Sequence, residues 1–133
     1  MVQQSLHDGN RLIKTTDANL QITQFEYNAR SQMTKVTDAL AQEYVFTYDA
    51  LGRQLTQTRA GATMRYQYNA TGNRTKRTDY AGRVTDYVYD DLNRLTNINY
   101  QGSTDYAAYA NDDLSRLTSA LEQFRLLTTT ATG

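Results

Sequence analysis

The sequence predicts an all-β protein of tandem antiparallel β-hairpin repeats, about 21 residues each, that form a curved sheet or β-spiral. Three observations predict this fold class. One turn phrase recurs through the 133 residues, the segments before each turn alternate between two kinds of side chain, and the composition favours strands. The chain contains eleven tyrosines and no proline, and tyrosine suits a half-buried pleated surface.

The repeat is clearest where FTYDALGRQLT, residues 46–56, is echoed by YVYDDLNRLT, residues 87–96. A fixed period of this kind indicates stacked supersecondary units. We therefore divide the chain into six hairpin repeats over residues 1–121 and a degenerate final strand or capping tail over residues 122–133. Equivalent turn positions recur every 20 to 22 residues, at Asn10, Ser31, Gly52, Gly72, Asn93 and Ser115.

Each unit opens with a strand. In the segment EYVFTY, the side chains of Tyr44, Phe46 and Tyr48 fall on one face and those of Val45 and Thr47 on the other. A period of two residues indicates a strand. We expect the aromatic side chains of successive repeats to share one face and to pair across neighbouring strands as a ladder. The candidate ligand-binding residues of this ladder are Phe46, Tyr48, Tyr66, Tyr68, Tyr87 and Tyr89.

A turn follows each of these strands. An aspartate there can accept a hydrogen bond from the backbone N–H two residues on, and glycine, asparagine or serine then occupies a position that requires a positive φ. These features predict a hairpin loop of about four or five residues. The predicted structural turn residues are Asp49, Gly52, Gly72, Asp90 and Asn93.

A second strand completes each unit, as in residues 53–58 and 94–99, and ends in a smaller turn at ALAQ, AGAT, YAGR or QGST. The last unit leaves two alternatives open. Ser119 and Glu122 form a capping-box pattern typical of a helix, whereas the repeat register makes residues 119–127 the return strand of the sixth hairpin. We favour the strand.

The turn phrase resembles the YD-repeat or Rhs (rearrangement hot-spot) family. The resemblance depends on Tyr48, Asp49, Gly52 and Arg53 and on the matching Tyr89, Asp90, Arg94 and Leu95, and it extends from about Leu6 to Thr118. In that family the repeats form a long β-sheet spiral that closes into a hollow shell, around a toxic domain in bacterial Rhs and Tc toxins, and related shells occur in teneurins. The resemblance implies a non-enzymatic structural module of a shell wall.

The shells of that family use many more hairpins than six, so the resemblance implies that this chain alone is too short to enclose a protein payload. We therefore expect the chain to act as a piece of wall, by encapsulation or by head-to-tail self-assembly into a larger β-spiral or filament. An open array of hairpins leaves unpaired backbone groups on its two end strands. The expected partner is thus another copy of the chain, in a homo-oligomer or filament joined through open sheet edges.

Little in the sequence supports catalysis. His7 is the only histidine and there is no cysteine, so we expect no enzyme activity, no cofactor and no metal site. The formal net charge of zero argues against nucleic acid as a partner. No apolar run is long enough for membrane insertion. Arg53 and Arg94 follow the turns in phase, and we expect them to pair with the preceding aspartates or to stack on tyrosines.

An alternative function stays open at this point. The tyrosine ladder is also compatible with a carbohydrate-binding or cell-surface adhesion module, in which aromatic rings stack on a glycan. We expect a secreted or cell-surface location, although the sequence contains no signal peptide of the usual kind, and a cytoplasmic location stays open as the alternative.

Overall fold

The computed structural model describes residues 4–123, and over that range it contains strands and turns. The predicted all-β architecture of antiparallel hairpins is confirmed, because each strand pairs with the next and the order in the sheet is the order in sequence. The strands are β1 (Gln4–Asp8), β2 (Arg11–Thr16), β3 (Ile22–Tyr27), β4 (Met33–Thr37), β5 (Glu43–Tyr48), β6 (Gln54–Arg59), β7 (Ala62–Tyr68), β8 (Arg74–Thr78), β9 (Val84–Tyr89), β10 (Leu95–Tyr100), β11 (Tyr106–Asn111) and β12 (Leu117–Gln123).

The chain divides into two compact units, Met1–Arg65 and Tyr66–Gly133. In the first unit, Phe25 lies opposite Val36, and Val36 lies opposite Tyr44. Aromatic and β-branched residues that face each other across strands contribute about 0.2 to 1 kcal/mol for each pair. The aromatic ladder of this unit is therefore a row of cross-strand contacts.

A similar row crosses the second unit. Tyr87 lies opposite Ile98, and Ile98 lies opposite Ala107. With 2% of its surface exposed, Ala107 is the one buried apolar residue among residues 4–123, and no large side chain in that range is fully buried. The stability of the described chain therefore depends on half-buried rows of side chains and on backbone ladders rather than on a conventional core.

Exposure alternates along the strands that precede the turns. In β5, the side chains of Tyr44, Phe46 and Tyr48 are half-buried, whereas those of Val45 and Thr47 are exposed. The two faces predicted from the sequence for this strand are those that the structure has. Because a strand presents successive side chains to opposite faces, the aromatic residues all lie on the better-covered side of the sheet.

One regular feature of the fold was not predicted. Thr47 pairs with Thr56 and Tyr48 pairs with Gln54, so Leu55 is an extra residue in β6. Such a β-bulge bends its strand and increases the local twist. The same bulge follows four other turns of this series, where the extra residues are Ile13, Thr34, Thr96 and Thr118.

The first turn differs from the prediction. We assigned its positive-φ position to Asn10, but the residue with positive φ is Gly9, at 59°. Only Gly9 and Asn10 lie between β1 and β2, so this hairpin has a two-residue loop. Glycine at the first loop position has no Cβ to clash, which allows the tighter loop.

The return turns at Asp38 and Asp79 are not smaller than the others, contrary to the prediction. Each has the same backbone pattern as the Tyr-Asp turns, as the next section describes. The turn between β6 and β7 is the two-residue loop Ala60–Gly61, with φ of 48° and 78°. Of the ambiguous stretch 119–127, residues 119–123 lie in β12, and the rest lies outside the described residues.

Candidate functional site

The turn after β5 shows how the repeated phrase builds a hairpin. The N–H of Asp49 donates to the carbonyl of Arg53 at 2.9 Å, and the N–H of Gly52 donates to the carbonyl of Asp49 at 3.0 Å. Oδ1 of Asp49 accepts the N–H groups of Leu51 and Arg53, each at 2.9 Å. With φ of 84° at Gly52, this is a type I turn extended by one left-handed residue.

The same turn recurs at both ends of the strands. After β9, Oδ1 of Asp90 accepts the N–H groups of Leu92 and Arg94, each at 3.0 Å, and Asn93 has φ of 60°. Gly72 holds the equivalent position at φ of 92°. Within residues 4–123 the turns that share this backbone pattern begin at Asp17, Asn28, Asp38, Asp49, Asn69, Asp79, Asp90 and Asp112.

In several of these turns, the second carboxylate oxygen of the aspartate forms an ion pair with an arginine. Nε of Arg53 lies 2.6 Å from Oδ2 of Asp49, and Nε of Arg94 lies 2.7 Å from Oδ2 of Asp90. One oxygen of each aspartate therefore caps the backbone while the other holds a guanidinium. The same pair joins Arg83 to Asp79, at a return turn where no such pair was expected.

The arginine that follows a Tyr-Asp turn can also donate a hydrogen bond to the next repeat. Nη1 of Arg94 donates to the backbone carbonyl of Asp112 at 2.7 Å. In the first unit, Nη1 of Arg11 donates to the carbonyl of Asn28 at 3.4 Å. A planar guanidinium with several donors can serve both partners at once, which lysine cannot do in the same geometry.

The tyrosine of the phrase reaches the preceding repeat. The hydroxyl of Tyr48 donates to the carbonyl of Met33 at 2.6 Å, and that of Tyr89 donates to the carbonyl of Arg74 at 2.9 Å. Each acceptor is the first residue of the neighbouring return strand. We call these tyrosine and arginine contacts the repeat lock, because they join one hairpin to the hairpins before and after it.

The candidate ligand-binding residues lie in three strands. Phe46 and Tyr48 lie on β5, Tyr66 and Tyr68 on β7, and Tyr87 and Tyr89 on β9, and all six side chains are half-buried. Within the second unit, the guanidinium carbon of Arg74 lies 4.4 Å from the ring centroid of Tyr66. The aromatic face is therefore partly engaged by side chains of the chain itself.

Residues 4–123 include no helix with the length and hydropathy of a membrane span. The same residues include no group of three or more histidine, aspartate or glutamate side chains placed to hold a metal ion.

The Rhs repeat profile matches residues 7–43, 48–79 and 68–104 of the sequence. The chain belongs to the Rhs repeat family. No curated protein matches it over its sequence.

Solved Tc toxin structures share the fold of this Rhs repeat chain. A crystal structure of TcdB2-TccC3-Cdc42 superposes with a TM-score of 0.74 and is 22% identical, and the match covers 89% of this chain and 7% of that one. The Tc holotoxin pore of Photorhabdus luminescens gives a TM-score of 0.72 with the same identity and coverage. TcdB2-TccC3 without its hypervariable C-terminal region gives 0.69 at 16% identity, with 90% of this chain and 7% of that chain covered. This chain spans about 7% of the length of the structures that it matches.

We expect the aspartates of the Rhs turns to make the stability of the fold depend on pH. The pKa of Asp90 lies below its ordinary value, because the N–H and the guanidinium of Arg94 bind the carboxylate and outweigh its partial desolvation. The pKa of Asp112 is lowered in the same way by Arg116. A carboxylate with a depressed folded-state pKa stabilises the fold above its unfolded pKa of about 3.9, and that contribution is lost as the pH falls through the folded-state value.

We expect Asp90→Asn to reduce the loss of stability on acidification below about pH 4. Asparagine keeps the Oδ1 acceptor, as Asn69 does for the N–H of Asn73, but it removes the titrating group and the ion pair with Arg94. Urea unfolding at a series of pH values measures the effect. The matched control is Asp91→Asn, which removes one exposed carboxylate from the same turn. Equal pH dependence in the two variants would contradict the prediction.

Proposed function

We propose that this chain is a non-enzymatic wall segment of an Rhs-type shell that is extended by adding further copies of itself at its sheet edges. This proposal depends on the exposure and the unpaired outer sides of the two end strands. Every residue of β1 and of β12 is exposed, and within residues 4–123 no strand pairs with the outer side of either. An edge of unpaired backbone groups is a template for another strand.

The strand order supports head-to-tail addition. Because consecutive strands alternate in direction and the sheet has twelve of them, β1 of one copy would add to β12 of another as the next antiparallel strand. Such an interface joins two different surfaces, so it can repeat without closing. Leu6 in β1 and Leu121 in β12, 55% and 56% exposed, would then be covered.

Encapsulation of a payload would need further hairpins, which additional copies or a longer chain would supply.

Charged residues on the end strands test edge addition. We expect Leu6→Lys/Leu121→Lys to abolish assembly through the sheet edges, because it places like charges on the two strands that would pair. The matched variant Leu6→Glu/Leu121→Lys places opposite charges there and should restore assembly. Sedimentation velocity and negative-stain microscopy at high concentration report the outcome. Equal assembly of the two variants would refute edge addition.

A second candidate function has one observation in its favour. Phe46 and Tyr48 line an open groove of about 430 Å³ together with the polar side chains of Asn28, Arg30 and Gln32. An aromatic floor beside amide and guanidinium groups suits a sugar ring. Glycan binding that is lost in Phe46→Ala, with the circular dichroism spectrum unchanged, would favour this module over the wall segment.

A further inference from the structure

The most exposed large apolar side chains of the described residues lie at the tips of hairpins in the first unit. Leu40 is 79% exposed, Leu51 is 77% exposed and Leu20 is 76% exposed. Turn positions usually carry glycine, asparagine, aspartate or serine, for reasons of backbone geometry and hydrogen bonding. Leucine at three tips is therefore not explained by the turn itself.

Leu20 is the clearest case. Its φ is 63°, so it occupies the left-handed position of its turn, which is strained for a residue with a large side chain. At that position the other turns with this backbone pattern have glycine, serine, alanine or asparagine. Leu20 thus combines backbone strain with an exposed apolar side chain. Burial against a partner would offset both costs.

The hairpin tips have the same spacing at the two ends of the strands. We call residues 17–21 and 38–42 the return tips, and residues 28–32 and 49–53 the Tyr-Asp tips. Neighbouring tips at either end are two strands apart, which corresponds to about 9.6 Å. The Tyr-Asp tips of one copy can therefore meet the return tips of another with every tip in register.

The two sets of tips also differ in charge. Asp17 and Asp38 begin the return tips, and neither forms an ion pair with another of the described residues. The Tyr-Asp tips present Arg30, which is exposed and donates from Nη1 to the carbonyl of Ala50 at 2.6 Å. The acidic return tips would thus face a cation, and such complementarity selects one orientation of the partner.

We propose that the Tyr-Asp tips of one copy bind the return tips of a second copy, in a heterologous contact across the strand ends that stacks one sheet on the next. Leu51 of one copy packs against Leu20 or Leu40 of the other. This contact extends the proposed wall in a second direction and rests on that proposed function. It differs from edge addition, because it uses turns rather than the backbone of the end strands.

A complementation experiment tests the contact. The parent is Leu6→Lys/Leu121→Lys, in which edge addition is blocked and sheet stacking is expected to remain. Two variants of this parent are compared. Leu51→Ser alters the Tyr-Asp tips, and Leu20→Asn/Leu40→Ser alters the return tips. Each variant alone should associate at least about tenfold more weakly than the parent by sedimentation equilibrium, since an apolar contact is lost.

The mixture of the two variants gives the decisive result. Each variant keeps the set of tips that the other has lost, so we expect a 1:1 complex that does not grow further. Urea unfolding controls for misfolding, and Leu20→Asn should unfold no more easily than the parent because asparagine tolerates the left-handed region. A mixture no more associated than its components would overturn the proposal, as would a parent that is monomeric at every concentration. Failure of the charge-pair experiment on β1 and β12, with complementation intact, would overturn edge addition alone.

Discussion

Ala107→Asp is expected to lower the free energy of unfolding by about 3 kcal/mol, because it buries an unpaired carboxylate. Ala107 is 2% exposed. It lies opposite Ile98 on one side and Glu122 on the other, so the new carboxylate would also face an acidic residue across the strand. Chemical denaturation followed by circular dichroism measures the change.

The matched control for this prediction is Ala110→Asp. Ala110 belongs to the same strand, lies on the opposite face and is exposed. A surface substitution of this kind changes the free energy of unfolding by about 0.5 kcal/mol or less. Similar losses in both variants would mean that Ala107 is not more tightly packed than the rest of β11.

Gly52→Val has the second largest expected effect, a loss of about 2 kcal/mol in the free energy of unfolding. Gly52 has φ of 84°, a conformation that a β-branched residue adopts only under strain. A Cβ added there would lie 3.0 Å from Nε2 of Gln32, whose Oε1 accepts a hydrogen bond from Asn28. The substitution therefore also disturbs the preceding turn.

Gly72→Val separates the two causes. Gly72 has φ of 92°, but a Cβ added there would meet no atom within 4 Å. It should therefore show the backbone strain without the contact, and a smaller loss of stability in urea unfolding than Gly52→Val. The reverse order of the two variants would show that Gln32 yields without cost.

The period of the turn phrase was enough to predict the strand order and the aromatic face. A hairpin repeat has a short-range signature, because alternation over six residues fixes the faces and a turn residue fixes the reversal. The sequence EYVFTY contains both signals, since its aromatic residues alternate and Asp49 follows directly. The resemblance to Rhs repeats then predicted hairpins for the weaker units as well, such as the one around Asn69.

The repeat lock could not be predicted in the same way. The hydroxyl of Tyr48 binds the carbonyl of a residue 15 positions earlier, and such a contact depends on the relative placement of two strands. The bulge at Leu55, which shifts the register of β6 against β5 by one residue, was missed as well. The alternation around Leu55 in GRQLTQT is weak, so no period in the sequence marks it.

The return turns were misjudged for a different reason. Asp38 and Asp79 begin turns of the same kind as Asp49, but a threonine rather than an aromatic residue precedes each of them, so they fall outside the Tyr-Asp phrase. The signal that could have found them is the threonine and aspartate pair followed four residues later by glutamine or arginine, as in TDALAQ and TDYAGR. The turn chemistry is thus independent of the tyrosine, which belongs to the lock.

The Tyr-Asp phrase recurs because its side chains join successive Rhs hairpins. Tyr48→Phe removes one hydroxyl from this lock. Tyr44 lies on the same face of the same strand, and its hydroxyl makes no hydrogen bond with the described residues, so Tyr44→Phe is the matched control. The most direct measurement is the difference between their free energies of unfolding in urea. We predict that Tyr48→Phe is less stable by about 1 kcal/mol, and equal stability of the two variants would contradict the account.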